Sequence, residues 1–223
     1  DPGWYQLKND SRQYRDWKRI GHGKVDLHMA IVQSCDTFFY DTGHKLGVDH
    51  MSNYLSSFGF GKNWSLDIPE GRSGLLPSRE WKEGARGITW YPGDSLNMSI
   101  GQGFMLATPL QLATATAVLA NKGVWKRPRL VSEIRDENGD QVLIDEGDSP
   151  ENVSLKNPDD WDYIFNAMET VMHGKRGTAR ASGRKAGYRM AGKTGTAQVV
   201  EIKQGEKYDA EALAERHRDH ALF

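Results

Sequence analysis

The chain has 223 residues, with 29 Lys and Arg against 30 Asp and Glu for a net charge of −1, and is long enough for one large or two small domains with a real core. That charge balance offers nucleic acid no attracting field, so no nucleic-acid partner is expected, and the apolar runs fall far short of the roughly 20 residues of a membrane helix. A single cysteine, Cys35, excludes an internal disulfide framework, while 24 Gly and seven Trp indicate a turn-rich chain with aromatic anchors rather than a plain helix bundle.

Residues 1 to 24 are aromatic and basic and read as an extended loop, with Trp4-Tyr5 a possible strand. Asp26 is placed to cap a short helix through Gln33, and a second helix is expected from Thr37 to Leu46, stopped where Gly47 can take a positive φ. A third begins at Asp49 and sets Met51, Leu55 and Phe58 on one stripe before Gly59 ends it. Residues 59 to 103 are rich in Gly and Pro without a sustained period, and are expected to be mostly ordered loop. The plainest helix follows: Thr108 as cap, Pro109 at its first position, Leu112, Ala115 and Leu119 on its face, and Lys122-Gly123 at its end.

Alternation from Leu130 to Ile144 around Asn138-Gly139 predicts a hairpin. Asn157-Pro158 opens another helix, with Asp159 and Asp160 at its positive end and Trp161, Phe165, Met168 and Met172 on its buried side. Residues 175 to 189 read as a basic, Gly-rich loop. Residues 189 to 200 read as a strand, and 201 to 220 as a charged, partly helical excursion. A strand starting at Ala221 is not expected to have the length to pair. His28, His44 and His50 are expected at surface or helix positions without partners.

Lys193-Thr194-Gly195-Thr196 places a cation, two hydroxyls and a glycine on one strand edge. An ammonium and short hydroxyl donors suit a carboxylate, and glycine lets another backbone approach. Ser34-Cys35-Asp36 sits at a junction between two helices, where Ser34 and Asp36 can face one side and Cys35 the other; simple helix capping is the plainer reading of that triplet. Gly101-Gln102-Gly103 followed by Thr108-Pro109 is a further marker.

With Tyr14-Arg15-Asp16-Trp17-Lys18, Gly21-His22-Gly23, Trp90-Tyr91 and Gly192 to Gln198, these motifs in this order make the chain resemble the class B penicillin-binding transpeptidases, and among them the cell-elongation subgroup. The resemblance implies an α/β fold of the α+β type, shared with the serine β-lactamases and present in part: a helical subdomain carrying Ser34-Cys35-Asp36, and part of an antiparallel sheet carrying Lys193-Thr194-Gly195. Residues 1–223 are then a partial transpeptidase domain, lacking the upstream Ser-x-x-Lys nucleophile segment and the C-terminal strands and helix. The one literal match, Ser182 to Lys185, lies between glycines without helical periodicity and is rejected as the nucleophile.

The activity so implied is acyl transfer from a D-Ala-D-Ala stem peptide through a serine ester, with β-lactams trapped by the same attack. Ser34 would relay a proton, Asp36 would hold the motif lysine and the substrate amide, Lys193, Thr194 and Thr196 would bind the terminal carboxylate, and Gly195 would keep the edge open. The chain alone is expected to be inactive. A longer protein would sit on the periplasmic face of the inner membrane, with an N-terminal anchor and with glycan-polymerising and shape-determining partners. A β-lactam sensor without activity, or a D,D-carboxypeptidase or β-lactamase of the same fold, stays open as an alternative. No cofactor is needed for the chemistry, but Asp1, Asp16, His22 and Cys35 are a donor set that suits a structural zinc. The plain alternative is an apolar buried Cys35 and a His22 bonded to backbone.

Overall fold

A computed structural model describes residues 1–65, 67–142, 150–200 and 208–223. In chain order its elements are β1 (Trp4–Gln6), β2 (Gln13–Arg15), α1 (Leu27–Gln33), α2 (Asp36–Leu46), α3 (Val48–Ser56), α4 (Arg79–Arg86), α5 (Pro92–Ser99) and α6 (Pro109–Ala120). Then come β3 (Ile134–Arg135), β4 (Gln141–Val142), α7 (Asp160–His173), α8 (Arg180–Gly183), β5 (Gly195–Ala197) and β6 (His220–Leu222). The chain divides into two compact units: one of Asp1–Lys45, Pro92–Gly103 and Asp162–Phe223, the other of Leu46–Tyr91 and Phe104–Trp161. No helix among the described residues is long and apolar enough to cross a membrane.

In the first unit, residues 1 to 24 are not all loop. β1 and β2 pair antiparallel with Tyr5 opposite Tyr14, and Tyr14, Tyr40 and Leu96 form a buried cluster with Tyr5, Leu7 and Ile100 packed on it. Asp26 caps α1 as predicted, its carboxylate accepting from Met29 N at 2.8 Å. α1 ends at Ser34, whose φ of 52° and ψ of 53° are left-handed. That conformation is uncommon for a residue with a Cβ and turns the chain sharply into α2.

α7 buries Trp161 and Met172, with Phe165 and Met168 half-buried; Val171, Met172 and Ala179 make a second core cluster in the first unit. The basic stretch contains α8, so Ser182 does lie on a helix, one of four residues. β6 pairs with β5, Thr196 opposite Ala221, which corrects the expectation that a strand there lacks the length to pair. The excursion expected to be partly helical retains one 3-10 turn, Glu215–His217, while residues 201–207 lie outside the described residues. His28 packs edge-on against Tyr163 at 6.0 Å and His44 against Tyr5 at 6.5 Å, so these two do have partners.

In the second unit, α3 carries Met51 and Leu55 half-buried, while Phe58 lies past its end. The largest correction is within residues 59 to 103, where two helices stand in place of loop. α4 in this unit is capped by Ser78, which accepts from Trp81 N at 3.1 Å, and closed by Gly87 at φ 66°; α5, in the first unit, begins at Pro92. α4 shows no apolar stripe because its buried residue is Lys82, 2% exposed. The Lys82 ammonium lies 4.6 Å from the Tyr91 ring centroid and 5.3 Å from that of Phe104, and cation–π contact takes the place of aliphatic packing.

α6 is capped reciprocally by Thr108 and Gln111, as a capping box requires. Its buried line is Gln111, Thr114 and Val118, one residue round from the predicted face, with Leu112, Ala115 and Leu119 half-buried beside it. The polar burial is satisfied: Gln111 Nε2 donates to Lys62 O at 3.0 Å and Ser73 O at 2.8 Å. β3 and β4 form the predicted hairpin in short form, Ile134 opposite Val142, with Gly139 at φ 88°. Ile144 lies outside the described residues.

Candidate active site

A cleft of about 960 Å³ opens in the first unit, lined among others by Ser34, Asp36, Gln102, Thr178, Lys193 and Thr196. Its floor depends on the left-handed turn at Ser34. That turn faces Ser34 and Asp36 to the cleft and leaves Cys35 fully buried, the alternation anticipated for the junction. Trp17, itself a cleft residue, secures it: its indole Nε1 donates to Ser34 O at 2.9 Å and Gln33 O at 3.0 Å, and its backbone N donates to Asp36 Oδ2 at 3.1 Å.

Lys193, at the approach to β5, reaches the same turn from 159 residues away, with Nζ donating to Ser34 Oγ at 2.6 Å and to Thr194 O at 2.9 Å. Thr194 Oγ1 lies 3.5 Å from Ser34 Oγ and 3.0 Å from Thr178 Oγ1. The result is a run of hydroxyls ending on an ammonium. Burial pushes the Lys193 ammonium below its ordinary pKa, opposed by the nearby Asp36. Burial pushes the Asp36 carboxyl up to about 6, opposed first by the bond from Trp17 N. Each group lowers the cost of charging the other.

Among the described residues a Cβ built on Gly195 would meet only Leu222 Cβ, at 3.8 Å, an ordinary van der Waals distance, so another backbone has room to approach there. β6 takes one edge of β5, and on the strand's other contacts the side chain of Gln102 donates to Thr196 O and accepts from Gln198 N at 3.4 Å. Such an arrangement can bind an extended, carboxylate-ended ligand and move a proton at Ser34 Oγ. Ser182 is not among the cleft residues.

Behind the turn, one donor atom from each of Asp1, Asp16, His22 and Cys35 lies within 4.8 Å of the others. His22 Nδ1 is 2.6 Å from Asp1 Oδ2 and 3.6 Å from Asp16 Oδ2, and Cys35 Sγ is 3.3 Å from Asp1 Oδ2. Gly21 makes this possible. At φ 73° it lets the loop fold so closely that a Cβ would sit 2.3 Å from Asp1 O. Buried carboxylates this close repel unless a proton or a cation lies between them, and two oxygens, a nitrogen and a sulfur make a donor set zinc accepts. His22 Nε2 is buried without a hydrogen-bond partner among the described residues, so the ring's ordered position is set from its Nδ1 side. Burial lowers the His22 pKa, with Asp16 opposing, and raises that of the Cys35 thiol.

Sequence reasoning named Ser34, Asp36, Lys193 to Thr196 and the four acid, imidazole and thiol residues, and the structure brings each set together. It did not find Thr178, and it named Trp17 and Gln102 only as members of motifs, without the bonds from Trp17 to the Ser34 turn or the contact of Gln102 with β5.

The penicillin binding protein transpeptidase domain family matches residues 1–217. The peptidoglycan D,D-transpeptidase MrdA of Acinetobacter baumannii is 42% identical across the whole chain, and that of Escherichia coli K12 is 39% identical; the chain spans 32% and 35% of those proteins. Among solved structures, Pseudomonas aeruginosa PBP2 in complex with WCK 5153 is 46% identical with a TM-score of 0.85, over all of this chain and 46% of that one. PBP2 of Helicobacter pylori, in complex with MreC, is 29% identical with a TM-score of 0.80, over 99% of this chain and 36% of that one. The mixed helices and short antiparallel strands are thus part of the penicillin-binding transpeptidase fold, and the chain belongs to the penicillin-binding protein transpeptidase domain family.

Proposed function

We propose that the protein containing this chain is a peptidoglycan D,D-transpeptidase of cell-wall elongation and cell-shape maintenance. The observation that carries this reading is the 2.6 Å bond between Lys193 Nζ and Ser34 Oγ beside an open strand, together with the MrdA relatives. A serine oxygen from an upstream Ser-x-x-Lys helix attacks the carbonyl carbon of the penultimate D-Ala. The C–N bond breaks, and the leaving nitrogen takes a proton relayed through Ser34. The terminal D-Ala departs, and an amine of a neighbouring strand attacks the ester, forming the cross-link and restoring the serine.

Asp36 holds the motif lysine and the substrate amide, while Lys193, Thr194 and Thr196 bind the terminal carboxylate. Thr196 N–H supplies half of the stabilisation of the developing oxyanion. The natural setting is the periplasmic face of the inner membrane, beside a glycan polymerase and shape proteins of the MreC kind. Full-length protein incubated with fluorescent penicillin becomes covalently labelled, and given a D-Ala-D-Ala-ended peptide and an acceptor amine it releases D-Ala and forms the new amide rather than the free acid. The 223-residue chain alone is not labelled. Labelling of the chain at Ser182, or hydrolysis without transfer, overturns the assignment.

Asp1, Asp16, His22 and Cys35 would hold a structural zinc that ties the 1–24 segment to the Ser34 turn; when bound, the ion supplies a cross-link and no step of the reaction. Purified full-length protein then contains about one zinc per molecule, and Cys35→Ser loses it and melts at lower temperature. Equal, near-zero metal in both eliminates the site.

A further inference from the structure

Gln102 is held in place by its backbone. Gly101 and Gly103 flank it at φ 74° and 78°, and Gly101 N donates to Met98 O and Gln102 N to Asn97 O, each at 2.9 Å. This terminates α5 and directs the Gln102 side chain at β5. One amide there does two things: Nε2 donates to Thr196 O, and Oε1 accepts from Gln198 N at 3.4 Å. Thr196 and Gln198 are two residues apart, so their backbone groups face the same side of the strand. A carbonyl and an N–H so placed are what an added peptide strand would use.

We infer that the Gln102 side-chain amide stands in for ligand backbone on the β5 edge and is a specificity-determining residue. It competes with peptide-like ligands and yields only to those bringing an amide that replaces its bond to Thr196 O. The inference rests on the reading of β5 as the substrate-binding edge. The N–H of a ligand amide can take the place of Gln102 Nε2 as donor to Thr196 O, so that bond is exchanged in kind, while a trans peptide unit points its carbonyl away and leaves Gln198 N to water or to a second ligand amide. A ligand without such an amide gains nothing by displacing Gln102, because Thr196 O would be left without its donor.

The test uses full-length protein and two β-lactams, one with an acylamido side chain and one without. Competition by hydrogen bonds of this kind is worth about three- to tenfold in affinity. In Gln102→Ala the half-saturating concentration of the acylamido compound is expected to fall by that factor relative to that of the unsubstituted compound. Gln102→Met, which fills the space without donor or acceptor, gives the same result and serves if the Ala variant does not fold. An unchanged or higher half-saturating concentration for the acylamido compound, relative to the unsubstituted one, in a folded variant overturns the inference while leaving the transpeptidase reading intact. Failure of wild-type protein to label with either compound overturns that reading, and the inference falls with it.

Discussion

The carboxylate-binding role proposed for Lys193 needs the charge of an ammonium that the fold buries. Because burial holds its pKa below the ordinary lysine value, the folded chain sheds this proton earlier than the unfolded chain as pH rises. In that window the unfolded state binds more protons, so unfolding free energy rises with pH as the cost of the buried charge is relieved. Carboxylate binding moves the other way and is lost as the ammonium disappears. Penicillin labelling of the full-length protein should therefore fall at alkaline pH, beginning below the ordinary lysine range. Lys193→Arg, whose guanidinium stays charged, should move the descending limb upward, and Lys193→Ala should slow labelling at neutral pH roughly 10- to 100-fold, the worth of a charge-assisted bond. Identical alkaline limbs for wild type and Lys193→Arg would show that another group titrates. Gly195 offers the opposite kind of test. A Cβ there meets nothing closer than Leu222 at 3.8 Å, so Gly195→Ala should keep stability within about 0.5 kcal/mol by urea unfolding. If a ligand backbone lies against that residue, labelling drops at least about tenfold, and normal labelling of the folded variant would place the ligand elsewhere.

At the scale of elements, the sequence was most legible where the determinants are local. α6 was plain because Thr108, Pro109 and Gln111 are adjacent and cap their own helix. Thr108→Ala should cost about 1 kcal/mol, and Gln111→Ala about 1–3 kcal/mol, since it strips donors from the carbonyls of Lys62 and Ser73 as well as the cap. Both act through one capping box, so the double variant should cost less than the sum, as denaturant unfolding would measure; strict additivity would mean that the box contributes nothing as a unit. α4 and α5 were not legible for the converse reason. α4 buries a lysine against rings distant in sequence, and no periodicity marks that. The same division runs through the site. Lys193 to Thr196 and the Asp1, Asp16, His22, Cys35 set carry their chemistry in residue type, while the contact of Gln102 with β5 spans 94 residues and exists only once α5 has formed.

At the scale of the molecule, every residue of the candidate site belongs to one unit, yet that unit is assembled from three separated stretches of chain. The first supplies Ser34 and Asp36, the second Gln102, the third Lys193. The geometry of the candidate site therefore depends on packing between stretches as much as on any motif. A close approach between the first two is at Gly93 in α5, where an added Cβ would clash with Tyr14 Oη of β2. A tyrosine tip can often swing aside, but Tyr14 is 8% exposed and its ring is edge-packed on Tyr40 at 6.0 Å, so the strain must pass into the backbone. Overpacking of this kind costs about 1–3 kcal/mol. Gly93→Ala should lower stability by that amount, as urea unfolding would measure. Tyr14→Phe in the same background removes the clashing oxygen and should restore much of the loss. A Gly93→Ala protein as stable as wild type would mean that the Tyr14, Tyr40 and Leu96 cluster yields more readily than its close packing implies, and that the three stretches are joined chiefly at the cleft itself.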